Sequence, residues 1–179
     1  MSNQPTRLRM RLACAGCLLV LVAVAALLMR IGGAFALGLV TIAVAALASI
    51  AAAQLVGRLR AVAAFRAAHR ESGKDILIVY TDSPHWRDYI ESRWLPRWRD
   101  RAVVLDRSRP WSHEQPEVRL WRAVAGSAEH TPVVIVVPPR GRVQIVRFWL
   151  AFRDYKHGKD RKLRDAEARL ARILGEPPP

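Results

Sequence analysis

Residues 76–86 are ILIVYTDSPHW, and this stretch decides how the second half of the chain folds. Its first five residues, 76–80, are apolar and rich in β-branched side chains, which is typical of a strand buried on both faces. The polar residues that follow favour a helix start, because Asp82 or Ser83 can cap a helix and Pro84 fits the first turn. The stretch therefore predicts a buried strand leading through a short loop into a helix.

The residues after this stretch alternate between strand and helix patterns. Pro96 should kink or end the first helix, since proline removes a backbone donor. We predict strands at 102–105, 132–137 and 142–149, a helix that begins after Ser112 and stops near Gly126, and a last helix at 161–174. Residues 148–158 mix aromatic and charged side chains, and we expect an ordered loop there. The predicted order is β-α-β-α-β-β-α.

This order resembles the thioredoxin-like fold superfamily over residues 74–174. A second point of resemblance is Thr131-Pro132, which directly precedes an apolar strand, as does the cis proline of that family beside its active-site helix. The resemblance implies an α/β domain with a four-stranded mixed sheet and the first and third strands at its centre. It also implies that the first and last helices lie on one face and the middle helix on the other.

The chain departs from that family where the redox chemistry would be. In place of the family's Cys-x-x-Cys it has residues 81–86, which contain no sulfur. Dithiol exchange requires a thiolate, so we predict that the domain is redox-inactive. The two cysteines, Cys14 and Cys17, lie in an apolar segment, where we interpret them as small residues at a helix interface. A zinc or redox site is disfavoured by their number and surroundings.

The first third of the chain is apolar enough to cross a membrane twice. Residues 12–29 give 18 uncharged positions and residues 31–57 give 27, with Arg30 between them, whereas a spanning helix needs roughly 20 residues. We predict a cytoplasmic N-terminus at 1–11, transmembrane helices at 12–29 and 34–56, and a periplasmic turn at 30–33. A cleaved signal sequence ending at Ala36 is the alternative, and it leaves one span.

Arginines flank this apolar region on both sides. Three lie at positions 7–11 and four lie at positions 58–70, so the positive-inside bias places both ends in the cytoplasm. We expect residues 57–73 to form a helical juxtamembrane stalk that is solvated, the alternative being a charged face that lies along the lipid headgroups. We expect residues 175–179 to form a disordered tail. The alanine- and arginine-rich composition is typical of a bacterial source, which predicts a multi-pass protein of the bacterial inner (cytoplasmic) membrane with a cytoplasmic domain.

The charge of the chain favours a lipid surface as partner. The formal net charge is +14, and residues 57–179 carry 25 basic and 15 acidic groups, spread along the sequence. Basic groups beside an anionic leaflet gain roughly 1 kcal/mol each. No helix-turn-helix, zinc-finger or RNA-binding pattern is present in the sequence, so we expect no nucleic-acid partner. Homo-oligomerisation stays open.

The candidate ligand-binding residues are those of the predicted loop and the proline motif: Ser83, Pro84, His85, Thr131 and Pro132. A helix start offers unpaired N–H groups that attract a carboxylate or an extended peptide. Ser83 as a simple helix cap is the alternative.

Asp82, His85 and His130 are residue types that can bind a metal, but they have no metal-ligand spacing. We expect no metal and no cofactor. Six tryptophans are many for this domain, and we expect about half to pack in the core. Trp98 and Trp111 are the candidate interface residues, because tryptophan beside arginine is common at protein interfaces.

Two functions remain open at this point. The first is a redox-inactive, membrane-anchored module that binds a protein or peptide at the cytoplasmic membrane face, with no catalytic residue. The second is a thiol-independent, glutathione-type binding protein or transferase that uses the cleft between Ser83 and Thr131-Pro132. We prefer the first, because it requires no chemistry beyond what the residues offer.

Overall fold

The computed structural model describes the backbone of residues 4–126 and 130–177, and side chains from residue 20 to 27 and from 37 onward within those ranges. The chain divides into two units, Met1–Ala53 and Gln54–Pro179. A single helix, α1 (Gln4–Ala68), begins in the first unit and ends in the second. The side chains of Cys14 and Cys17 lie outside the described set, as do Pro178 and Pro179.

The predicted turn at 30–33 is not confirmed, because the backbone there continues α1 without a break. Glycine costs about 1 kcal/mol relative to alanine inside a helix. Two adjacent glycines therefore weaken the helix without forcing it to end, as a proline would. Among the described residues, one helical stretch, Leu37–Ala68, is long and apolar enough to cross a membrane.

The last part of α1 belongs to the folded domain, which corrects our expectation of a solvated stalk at 57–73. Ala61 is 3% exposed and Phe65 is fully buried against one face of the sheet. Arg66 donates from Nε to the carbonyl of Pro138 at 3.0 Å, and His69 bonds Glu117 at 2.6 Å. Alanine and arginine dominate this segment, so its composition does not indicate that the Phe65 side chain packs on the sheet.

The sheet has four strands: β1 (Ile76–Tyr80), β2 (Ala102–Asp106), β3 (Val133–Val136) and β4 (Gln144–Arg147). Their order across the sheet is β2-β1-β3-β4. β1 pairs in parallel with β2 and antiparallel with β3, and β3 pairs antiparallel with β4. The expectation of a mixed sheet with the first and third strands at the centre is confirmed.

The helices after α1 differ in part from prediction. The helix predicted after β1 starts later than expected. It begins as α2 (Arg87–Tyr89) and continues through a π-helical stretch (Ile90–Trp94) into α3 (Leu95–Trp98). The wider π turn next to Pro96 gives the chain a way to continue without the missing proline N–H. The remaining helices are α4 (Pro116–Val124), α5 (Trp149–Tyr155) and α6 (Arg161–Leu174). The loop expected at 148–158 is therefore wrong over α5, whereas α6 is confirmed.

Two apolar clusters cover the two faces of the sheet, because side chains alternate along each strand. One contains Ile76 and Ile78 with residues of the π stretch, α3, α5 and α6. The other contains Leu77 and Val79 with Phe65 and the buried residues of α4. The first and last helices thus share one face and the middle helix lies on the other, as expected.

Two further expectations concern the peptide bond before β3 and the residues after α6. The Thr131-Pro132 peptide is cis, as predicted. The tail at 175–177 is ordered, which corrects the expectation of disorder: Glu176 accepts hydrogen bonds from Arg97, Trp98 and Arg101. The carboxylate of Glu176 thus has three donors, on α3 and just after it. The short sequence Gly-Glu-Pro does not predict these contacts.

Candidate functional site

The loop that follows β1 is held in place by the end of β2. The backbone N–H of Asp82 donates to Ser108 Oγ at 2.7 Å, and the N–H of Ser108 donates to Asp106 Oδ1 at 2.9 Å. The N–H of Arg107 donates to the carbonyl of Tyr80 at 2.8 Å. Because β1 and β2 are parallel, their carboxyl ends meet at one end of the sheet, and this is where ligands commonly bind in α/β proteins.

A charged network braces the same loop from the helix side. Arg87 donates to Asp82 Oδ1 at 2.5 Å and to Glu91 Oε1 at 3.1 Å, and the hydroxyl of Tyr80 donates to Glu91 Oε1 at 3.2 Å. The hydrogen bond with Asp82, followed by the one with Glu91, raises the pKa of Arg87. Burial, followed by the charge of Glu91, raises the pKa of Tyr80 to about 12. Both groups therefore keep their protons at neutral pH.

The N–H groups that we expected to be open to a ligand are bonded within the chain. Ser83 donates to the carbonyl of Thr81, and Trp86 and Arg87 donate to the carbonyl of Ser83. The N–H of His85 donates to Ser83 Oγ at 3.4 Å, so this serine closes a turn within the loop. It does not cap the helix, because the residue before α2 is Trp86, which makes no side-chain cap bond. A ligand at this loop would have to meet side chains, because the backbone donors from 82 to 87 are occupied.

The structure brings the two predicted segments to the same end of the sheet. Val79 pairs with Val133, so the residues after β1 and the residues before β3 adjoin that end. Their exposure differs: Pro84 and His85 are exposed and Ser83 is half-buried, but Thr131 is only 5% exposed and Pro132 is buried. Of the two segments, only residues 82–85 therefore present exposed side chains at this end of the sheet.

His130, which precedes Thr131-Pro132, packs against a residue that was not among those considered for a metal site. The ring of His130 stacks on Trp149 at 4.6 Å between centroids, with 24° between planes. Among the described residues, no three His, Cys, Asp or Glu side chains gather into a group that could hold a metal ion.

The two candidate interface tryptophans have different environments. Trp98 is 3% exposed, lies in the core cluster and donates from Nε1 to Glu176 at 3.0 Å. It therefore offers no surface to a partner, which corrects the prediction. Trp111 is half-buried and packs edge-on against Trp121. Of the pair, Trp111 alone retains an exposed part.

A surface that the sequence reasoning missed lies at the start of α5. We call His130, Trp149, Leu150 and Arg153 the α5 patch. The guanidinium of Arg153 lies 5.2 Å from the Trp149 ring, and Leu150 is 52% exposed. The sequence does show aromatic and charged residues after the last strand. We expected a loop there, however, and not the helix α5 on which these residues lie.

The burial of the Glu167 carboxylate was also not predicted from the sequence. Glu167 is 7% exposed and accepts from the Tyr89 hydroxyl at 2.9 Å and from Trp94 Nε1 at 2.8 Å. Burial, followed by the hydrogen bond to Glu167, raises the pKa of Tyr89 to about 12. Glu167 lies four residues after Leu163 and three before Leu170, so its position on the apolar stripe of α6 was the available sign.

Comparison with models of protein families, with curated proteins and with solved structures finds no match to this chain.

Proposed function

We propose that this chain is a membrane-anchored, redox-inactive module with a thioredoxin-like topology that binds a protein or peptide at the cytoplasmic face of a bacterial inner membrane. The strand order and the distribution of helices over the two sheet faces support the topology. The apolar stretch Leu37–Ala68 supports the anchor. The arginines that flank the apolar region support the cytoplasmic orientation.

The anchor is proposed to be a hairpin. At about 1.5 Å per residue, the predicted apolar region at 12–57 would extend roughly 70 Å as one helix, about twice the 30 Å hydrocarbon core of a bilayer. An apolar region of this length exceeds what one crossing needs, and Arg30 with Gly32 and Gly33 marks the point where a break costs least. We therefore propose that α1 breaks at 30–33 when a bilayer surrounds it.

The observation that carries the binding function is the braced loop from Asp82 to Arg87. Its backbone donors are satisfied within the chain, including the N–H of Asp82 by Ser108, and the side chain of Arg87 bonds both Asp82 and Glu91. The loop nevertheless leaves Asp82, Pro84 and His85 exposed. A loop whose backbone is already held in place loses less conformational entropy on binding, so this loop is suited to recognition.

The same contacts disfavour the transferase alternative. Nucleophilic or thiol-activating chemistry needs a hydroxyl beside a base or a strong donor aimed at the reacting atom. Ser83 Oγ accepts a hydrogen bond from a backbone amide instead. The nearby phenol of Tyr80 has its pKa raised to about 12, so it is not a base at neutral pH.

Site-specific photo-crosslinking in native membranes tests this function. A photoreactive residue at Pro84 or His85 should yield the same protein adduct, and one at Arg169, exposed on α6, should not. Arg87→Ala removes the bonds to Asp82 and Glu91 and should weaken the adduct. If the three positions give the same adducts, or if 84 and 85 capture lipid alone, the loop is not the recognition surface.

An activity assay on the full chain separates the two candidate functions. We expect no reduction of insulin disulfides and no conjugation of glutathione to an electrophile. Glutathione turnover that is lost in Ser83→Ala would establish the transferase reading instead.

A further inference from the structure

Two arginine contacts fix the direction in which the end of α1 runs along the sheet. Arg58 donates to the carbonyls of Ala123 at 2.8 Å and Val124 at 3.2 Å, at the carboxyl end of α4, which leads towards the start of β3. Arg66 donates to the carbonyls of Pro138 and Gly141, beyond the other end of β3. The Arg58 end of the helix therefore lies at the end of the sheet where β3 starts.

The α5 patch lies at that same end. Val133, the first residue of β3, pairs with Arg147, the last residue of β4. The N–H of Phe148 donates to the carbonyl of Pro132 at 2.9 Å, and α5 begins at the next residue. The apolar part of α1 directly precedes Gln54 in the chain, and Arg58 is about one helical turn later. Only a few residues of chain thus separate Arg58 from a bilayer that holds the apolar part.

The chemistry of the patch matches the headgroup region of a membrane. Tryptophan is enriched at that level because its ring is amphipathic, and exposed leucine contributes apolar area that can enter the acyl boundary. Arg153 holds its guanidinium over Trp149, so the patch combines a cation with an aromatic ring and the 52% exposed Leu150. The domain as a whole carries an excess of basic over acidic groups.

We propose that the α5 patch docks on the anionic leaflet of the bilayer that holds α1. Docking fixes the domain at two points, the end of α1 and the patch. The docking rests on the proposed membrane anchor and not on the binding function of the 82–85 loop. A soluble protein as occupant of the patch is the competing outcome, and a purified system that contains only lipid distinguishes it.

Fluorescence quenching with the full chain tests the docking. Cys14 and Cys17 are replaced by alanine, and an environment-sensitive dye is attached at Leu150→Cys or, as control, at Arg140→Cys in the β3–β4 turn. The chain is reconstituted into vesicles that carry headgroup-nitroxide lipids, with phosphatidylcholine alone or with added phosphatidylglycerol. In the anionic vesicles, quenching should be clearly stronger at 150 than at 140.

Charge variants provide the second arm. Arg153→Gln should lower the ratio of docked to undocked domain about fivefold, the value for one basic group near an anionic surface. Arg142→Gln, an exposed arginine at the opposite end, should leave the ratio unchanged. Both positions are exposed, and an unchanged urea midpoint verifies folding. Equal quenching at 150 and 140 would overturn the proposal, as would quenching at 150 that ignores both lipid charge and Arg153→Gln.

Discussion

Replacing Phe65 by alanine tests whether the end of α1 is part of the domain. Its side chain is fully buried among Leu77, Val118, Trp121 and other residues on one face of the sheet. Removing a buried phenylalanine ring costs about 3–5 kcal/mol, a large share of the roughly 5–15 kcal/mol that stabilises a typical domain. With a urea m-value of about 1.5–2 kcal/mol per molar, the midpoint should fall by roughly 1.5–3 M.

Tryptophan fluorescence during urea unfolding of the full chain in detergent is the assay, because Trp121 lies in the same cluster as Phe65. Leu59→Ala is the matched control, since Leu59 is 61% exposed on the same helix. Its midpoint should move little in comparison. Equal shifts for the two variants, or no shift for Phe65→Ala, would refute the packing of α1 on the sheet and restore the solvated stalk.

Two further predictions concern the other face of the sheet. Glu167→Ala leaves the buried N–H of Trp94 without its acceptor and should cost about 1–3 kcal/mol in urea unfolding, whereas Glu167→Gln, which keeps an acceptor oxygen, should cost less. In alkaline solution, the raised pKa values of Tyr80 and Tyr89, each about 12 in the folded chain against 10.0 ordinarily, mean that the protonated phenols favour folding. That contribution is complete below about pH 10 and is lost as the pH rises towards 12; Tyr80→Phe should reduce the loss, and a titration at the phenolate absorbance with both phenols ionising near their ordinary value would contradict this.

Periodicity predicted the strands and the last helix because these elements carry strong local patterns, whereas the order of the strands was implied by the family resemblance. The run at 76–80 can be satisfied only by burial on both faces, and α6 repeats apolar residues at helical spacing up to Leu174. The bounds of the first helix were less predictable. Asp82 and Ser83 are good caps, but the N–H of Asp82 donates to Ser108 and Ser83 Oγ accepts from His85 within the turn, and the helix begins at Arg87.

The contacts that the sequence did not predict are between residues far apart in the chain. Phe65 lies in an alanine- and arginine-rich segment, and its burial depends on the shape of the sheet face it meets. Glu176 is held by donors about 75 to 80 residues earlier. At the candidate site, the family resemblance implied that the two segments lie close together, but only the three-dimensional packing shows that Thr131 is buried and that the loop N–H groups are occupied.

All of the functional proposals depend on an anchored domain that faces the cytoplasm. An impermeant maleimide applied to a chain with Cys14 and Cys17 replaced by alanine and Glu114→Cys, at an exposed position before α4, tests this directly. We predict that the chain stays with the membrane fraction, and that it is labelled in inverted inner-membrane vesicles but not in intact cells with a permeabilised outer membrane. Labelling in those intact cells, or recovery of the chain in the soluble fraction, would contradict the membrane-anchored cytoplasmic module.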